Sequence, residues 1–447
     1  MNNEKKIGLK YGIKKSDELW ERAKRVIATG TQTFSRSPGV FPDGAAPKYV
    51  VRQKGSHVWD VDGNEFIDMV MGCGPTTLGH NCEPINEAIK KQMENGILFS
   101  LLNPLEVEVA EKLVKLIPCA EMVKFSKNGS DVCAAAVRLA RTITGREMIF
   151  CYGYHGFQDW YIGSTDRNAG VPKCVCALTK PFGYNDIDGL RKMFEENDGQ
   201  VAAVIMEPVI AEKPKDDFLS KVKALAHKHG SLLIFDEMIS GFRFRIGGAQ
   251  EFFDVTPDLA TFGKGITNGM PLGVIAGKRK YMQHFDKAFL SSTYAPEALT
   301  LAAASAVIDF YIEQDVIGKL WEKGEYLEKH LNAVIDKHGV RKNVSLAGYP
   351  VRLMVNTHDA SGVQNSNLAT LYQQEMIKEG ILCFAGVLML SYAHSREDLD
   401  HLISAFDKAC GVIKQAVESG EDIKHFLRCK PGSPVFKGLR ERNAVSN

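Results

Sequence analysis

No hydrophobic run in this chain of 447 residues approaches the roughly 18–20 residues a membrane-spanning helix needs. Charge of one sign is also missing. Lys and Arg number 55 against 54 Asp and Glu, a formal net charge of +1. No electrostatic footprint for nucleic acid or a lipid surface follows from that balance. Cysteines at zinc-knuckle spacing are absent. The ten cysteines are scattered, and the closest pair, Cys174-Val175-Cys176, is too tight and has no second pair after it. No metal is expected, and the cysteines read as free thiols of a reducing, cytoplasmic compartment. Met1 to Lys10 is polar and lysine-rich with no apolar stretch behind it, so no secretory leader is expected. Internal repeats and low-complexity segments are absent too. So is the nucleotide-binding loop Gly-x-x-x-x-Gly-Lys-Ser/Thr, because the Gly-Lys pairs at 263, 277 and 318 are followed by Gly, Arg and Leu.

What remains is the composition of a globular enzyme, 45% apolar and 24% charged, at a length that suits two or three domains. The first thirty residues read as helical, with Leu19, Ala23, Val26 and Ile27 on one face. Lys48–Val51, His57–Asp60 and Phe66–Met69, with a turn at Asp62-Gly63-Asn64, read as a β-meander. From about 84 to 280, helical stretches alternate with short unbroken apolar runs. These are Val123–Phe125, Met148–Phe150, Ala203–Met206, Leu232–Phe235 and Gly273–Ala276. Runs of this kind read as strands covered on both faces, hence a mostly parallel sheet. Long helices are expected over 296–340, then at 366–379 and 396–418, and an extended tail after Cys429 with Pro431, Gly432 and Pro434. The expected division is 1–70, an N-terminal helix and meander; 71–325, a large α/β domain; and 326–447, a small α+β domain completed by the N-terminal segment.

Ligands of open α/β sheets bind at the carboxyl ends of the strands. There the runs deliver Asn128-Gly129-Ser130-Asp131, Tyr152-Gly153-Tyr154-His155-Gly156, Glu207-Pro208 and Asp236-Glu237. Gly129-Ser130 opens a helix that Ser130 would cap and Gly145 would stop, and a helix start favours a phosphate. Tyr154 beside glycines would stack on a flat ring. Lys264, between Gly263 and Gly265 and flanked by Phe262 and Ile266, has room and apolar surroundings. A desolvated lysine is a nucleophile near neutral pH. A carboxylate at the end of a buried strand and such a lysine are two parts that pyridoxal phosphate chemistry needs. The carboxylate keeps the ring nitrogen protonated, and the amine carries the cofactor as a Schiff base.

Taken together, these motifs resemble the class III, fold-type I pyridoxal phosphate (PLP) aminotransferases, and most of all the glutamate-1-semialdehyde aminomutase branch. The resemblance runs from about residue 20 to the C-terminus. It rests on Asn128-Gly129-Ser130-Asp131, Tyr154-His155-Gly156, Glu207-Pro208, Asp236–Arg243, Thr261–Lys264 and Ser291-Ser292-Thr293. It implies that Lys264 is the Schiff-base lysine and moves the α-proton, and that Asp236 pairs with the pyridinium nitrogen. It further implies that Met238 or Ile239 packs on one ring face with Tyr154 on the other, while Gly129 and Ser130 hold the phosphate. Glu207 would be a supporting carboxylate near the cofactor, with His155 beside Tyr154. Thr293 would reach the phosphate of the neighbouring subunit, so a homodimer with shared active sites is implied. Arg36 and Arg243 are the candidates for a substrate carboxylate.

The chain also departs from that branch. Gly386 stands where the aminomutases carry a glutamate, before Ala393-His394. Thr33–Ser37 replaces an Asn-Ser-Pro-Val-Arg segment, and Ala295-Pro296-Glu297 replaces Gly-Asn-Pro. An intact cofactor half and an altered substrate half imply an aminotransferase acting on an amino-acid donor and a carbonyl acceptor, sugar-derived or otherwise polar. The rivals are the aminomutase itself, racemase or decarboxylase chemistry on the same cofactor, and a PLP-binding regulatory protein without turnover. The segment 157–182, with Gly163 and Gly170, is a candidate lid.

Overall fold

The structure is a computed structural model that describes residues 7–384, 386–432 and 435. Met1 to Lys6, Ala385 and Pro434 therefore lie outside the described residues. The chain divides into two compact units, Met1–Cys82 with Gly318–Val435, and Glu83–Ile317.

In the first unit, β1 (Val50–Lys54), β2 (His57–Asp60) and β3 (Glu65–Asp68) form the antiparallel meander. It follows a helix over Lys14–Val26.

The second unit holds β4 (Met122–Ser126), β5 (Met148–Tyr152), β6 (Thr179–Pro181), β7 (Val201–Met206), β8 (Leu232–Asp236), β9 (Leu259–Phe262) and β10 (Gly273–Gly277). They build one seven-stranded sheet in the order β4-β10-β9-β8-β7-β5-β6. Only β10 runs against its neighbours; the other pairings are parallel. β5, β7, β8, β9 and β10 are buried along their whole length. That is why they read as unbroken apolar runs. The helix Gly129–Thr144 packs against β7, β9 and β10, and Phe218–Lys228 packs against β8. Each fully buried Leu, Ile or Phe contributes about 1.5–3 kcal/mol. Leu232 to Phe235 thus anchor β8 and fix the place of Asp236 at its end.

Two strands lie where the sequence reading placed none. β6 is three residues at the sheet edge. β9 is a short run holding Thr261, and it leads directly into Gly263-Lys264. The polar Thr261 interrupts its apolar pattern.

The first unit is completed by β11 (Val344–Tyr349), β12 (Arg352–Thr357), β13 (Ile381–Leu382) and β14 (Val387–Met389). β11, β12 and β14 form an antiparallel sheet, and β13 pairs in parallel with β3. Helices Ser366–Lys378 and Arg396–Glu418 pack together beside them.

Candidate active site

β8 and β9 run side by side with Asp236 opposite Thr261. Lys264 follows Thr261 by three residues, so the carboxylate and the amine leave the sheet at the same carboxyl edge. Lys264 has a backbone φ of 46°. A non-glycine residue held there costs about 1–3 kcal/mol, and such strain collects at functional sites. The side chain is half-buried.

Asp236 is 2% exposed, and its carboxylate is surrounded by donors. Nδ1 of His155 is 2.8 Å from Oδ2, and the Cys133 thiol donates to the same oxygen over 3.4 Å. The Met238 N–H donates to Oδ1 at 3.1 Å, and the Thr261 hydroxyl at 3.4 Å. Nε2 of His155 is 3.0 Å from the Tyr152 carbonyl. Burial, and then the Asp236 charge, push the Cys133 thiol well above its ordinary range, so it stays a proton donor. Cys133 carried no sequence signal as a site residue, and Thr261 entered only as part of the Thr261–Lys264 motif. Helical geometry turns Cys133 toward the sheet, and strand register sets Thr261 beside Asp236.

The start of the helix Gly129–Thr144 lies at the same edge. Its cap is Asn128, whose Oδ1 accepts the Asp131 N–H at 3.0 Å. Ser130, read from the sequence as the cap, sits inside the helix and accepts the Phe157 N–H at 3.3 Å. Gly145 does end the helix, at φ 67°. The first N–H groups of a helix have no partner within it. Backbone approach is close here. A Cβ on Gly129 would lie 3.0 Å from the Met238 sulfur, and one on Gly263 would lie 2.8 Å from it. Met238 thus fills the space between the helix start and the Lys264 turn, and a side chain at either glycine would force it to shift.

Glu207 accepts the Tyr154 N–H at 2.8 Å and fixes the backbone of that tyrosine. The Tyr154 ring meets Tyr161 edge-on at 5.6 Å and is 47% exposed. Ile239, beside Met238, is half-buried. Glu237 points away from Asp236. Burial lifts its carboxyl to about 7, against hydrogen bonds from the Ser240 hydroxyl and the Ala249 and Gln250 N–H groups.

The residues suit PLP. Amides for a phosphate, a donor-loaded buried carboxylate for a ring nitrogen, and an amine for the aldehyde stand on one sheet edge. The remaining candidates are placed differently. Thr293 is exposed on the segment before the helix Ala298–Glu313. Arg243 is among the largest fully buried side chains at 2% exposure, which leaves it no surface to offer a solute. Arg36 belongs to the first unit and donates to the Gly72 carbonyl at 3.3 Å.

A model of the class-III aminotransferases matches residues 42–409. The 3-aminobutyryl-CoA aminotransferase of Cloacimonas acidaminovorans (strain Evry) is 34% identical over 417 residues, covering 91% of this chain and 99% of that protein. A glutamate-1-semialdehyde 2,1-aminomutase of Acetivibrio thermocellus is 34% identical over 414 residues, covering 88% and 96%. Among solved structures, the FumI protein of Sphingopyxis sp. MTA144 in its PLP internal aldimine form matches with a TM-score of 0.85 at 26% identity, over 93% of this chain and 100% of that one. The chain belongs to the class-III aminotransferases, enzymes of PLP fold type I.

Proposed function

We propose that this enzyme moves an amino group from an amino-acid donor to a separate carbonyl acceptor in two half-reactions. The observation that carries the reading is the pairing of Asp236 with Thr261 across β8 and β9, three residues before Lys264. PLP, when bound, supplies an electron sink that stabilises negative charge on the carbon bearing the substrate nitrogen. Asp236 would hold its ring nitrogen, with His155 and Cys133 fixing the carboxylate. The first amides of the helix Gly129–Thr144 would take the phosphate. Met238, with Ile239 beside it, would lie on one ring face and Tyr154 on the other. In each half-reaction the Lys264 amine would take or give the proton at the substrate carbon and exchange it with the cofactor carbon that bears the transferred nitrogen.

Gly386 supports transfer over the aminomutase reading. Its φ is 80°, and a Cβ there would lie 2.2 Å from the Val355 carbonyl. The backbone thus excludes a glutamate at that position. For the donor, the likeness to a 3-aminobutyryl-CoA aminotransferase supports an amino-acyl thioester as a second class beside a free amino acid, while the acceptor reading stays a polar, sugar-derived or other carbonyl compound.

A homodimer with shared sites fits the apolar surface around 97–107. Leu101 and Leu102 are 86% and 87% exposed, and Ile97, Leu98, Phe99 and Val107 are exposed beside them. The Ala298 N–H donates to the Ile97 carbonyl at 2.8 Å, which joins this surface to the segment carrying Thr293. Exposed apolar clusters of this size mark association surfaces. The ten unbridged cysteines suit a reducing, cytoplasmic compartment.

The test is a screen of amino donors, following loss of the cofactor absorbance and formation of the keto product. Glutamate-1-semialdehyde is tried in parallel. Its conversion to 5-aminolevulinate at a rate matching any transamination would overturn the reading.

A further inference from the structure

We propose that Lys127 and Glu297 form a positioning pair that locks the Thr293 segment to the phosphate turn, so that phosphate binding depends on an ion pair remote from the phosphate itself. The inference rests on the reading that Thr293 serves the phosphate of a second copy of this chain.

Lys127 lies between Ser126, which ends β4, and Asn128, which caps the helix Gly129–Thr144. Its ammonium donates to Glu297 Oε2 at 3.1 Å and to the Thr300 hydroxyl at 3.3 Å. Glu297 is itself the cap of the helix Ala298–Glu313, accepting the Leu299 N–H at 2.6 Å. The Thr300 hydroxyl donates to Glu297 Oε2 at 2.6 Å and closes the triangle. The two charged side chains are 17% and 13% exposed, so solvent screens them weakly. Burial works to raise the Glu297 carboxyl, but hydrogen bonds from Thr300 and Lys127 outweigh it and hold the group below its ordinary range.

Only three residues separate Thr293 from Glu297. Two tight turns shorten that path, with the Ala295 N–H on the Ser292 carbonyl and the Glu297 N–H on the Tyr294 carbonyl. The pair therefore ties one end of the Thr293 segment to the residue next to the phosphate-turn cap. The tie falls at Ala295-Pro296-Glu297, where this chain departs from its branch.

The test compares apoprotein binding of pyridoxal phosphate with that of pyridoxal, which lacks the phosphate. Glu297→Gln and Lys127→Met should each weaken pyridoxal phosphate about tenfold, the loss expected for one charge-assisted hydrogen bond, and leave pyridoxal within about twofold. The double variant should lose no more than either single one, because the two groups act as one unit. Lys127→Arg should hold the parent preference. Unchanged pyridoxal phosphate binding, or equal loss of both compounds, would overturn the proposal. Sedimentation separates the two readings. A monomeric parent removes the shared-site reading and this one with it, whereas a dimeric parent with an unchanged preference removes this one alone.

Discussion

His155 stands between Asp236 and the carbonyl of Tyr152, with one ring nitrogen on each, at 2.8 and 3.0 Å. A carbonyl only accepts, so Nε2 carries a proton. Nδ1 faces the carboxylate, and together with the Met238 N–H, the Thr261 hydroxyl and the Cys133 thiol it keeps the buried Asp236 supplied with hydrogen-bond partners at the strand end. His155→Ala leaves that carboxylate short of its main donor. It should lower unfolding free energy by about 3–5 kcal/mol, as removal of one partner of a buried pair does. Denaturant titration of the apoprotein reads this, and a midpoint equal to the parent's would refute it.

Lys264→Ala removes the proposed proton carrier. Transamination should fall by about 10²–10⁴-fold or more, the range for loss of a general acid–base group. Borohydride treatment followed by peptide mapping should fix pyridoxyl on the Lys264 peptide of the parent and on no peptide of the variant. A variant that turns over at the parent rate would sink the assignment.

Gly386→Glu should not create an aminomutase. The added Cβ meets the Val355 carbonyl at 2.2 Å, and the backbone is left-handed there. The expected result is a less stable protein, by about 1–3 kcal/mol, with no 5-aminolevulinate from glutamate-1-semialdehyde. Gain of that product with unchanged stability would count against the argument drawn from this glycine.

The first unit carries a pH-dependent tie. Nε2 of His57 on β2 is 3.0 Å from Oδ1 of Asp398, which is also held by the Ser56 hydroxyl at 2.7 Å. The hydrogen bond to Asp398 raises the His57 pKa against burial, with Glu65 adding to it. A raised histidine stabilises the fold fully below its unfolded value of about 6.5, and the contribution fades as pH climbs through the folded value. Burial alone would raise Asp398, but its bonds from His57, Ser56 and the Ser395 N–H hold it well below the carboxylate range. Its share is therefore present above about pH 4 and lost as the solution is acidified further. His57→Gln should cost about 1–3 kcal/mol at pH 6 and clearly less at pH 9. Melting curves at the two pH values decide it; an equal loss at both would refute the tie.

Leu101→Asp with Leu102→Asp places two charges on the exposed apolar surface. If a second copy covers it, sedimentation should show a monomer, and PLP should be released more readily than from the parent. A double variant that sediments like the parent would show that this surface is not the interface.

The sequence by itself determined five of the seven strands of the large sheet, all but β6 and β9. Unbroken apolar runs such as Leu232–Phe235 can be satisfied only as strands covered on both faces, and residues at their ends must then emerge at one edge. That placed Asp236, Glu207, Tyr154 and the Asn128–Ser130 turn together without coordinates. The tertiary structure alone decided what touches Asp236. Thr261 faces it because β9 pairs with β8 in one register, and Cys133 because the helix Gly129–Thr144 packs on the sheet with that face inward. Tertiary packing also removed Arg243 from solvent and joined Lys127 to Glu297 across 170 residues. Pattern along a chain reports which way a side chain faces; partners distant in sequence are chosen by register and packing, and these exist only once the chain has folded.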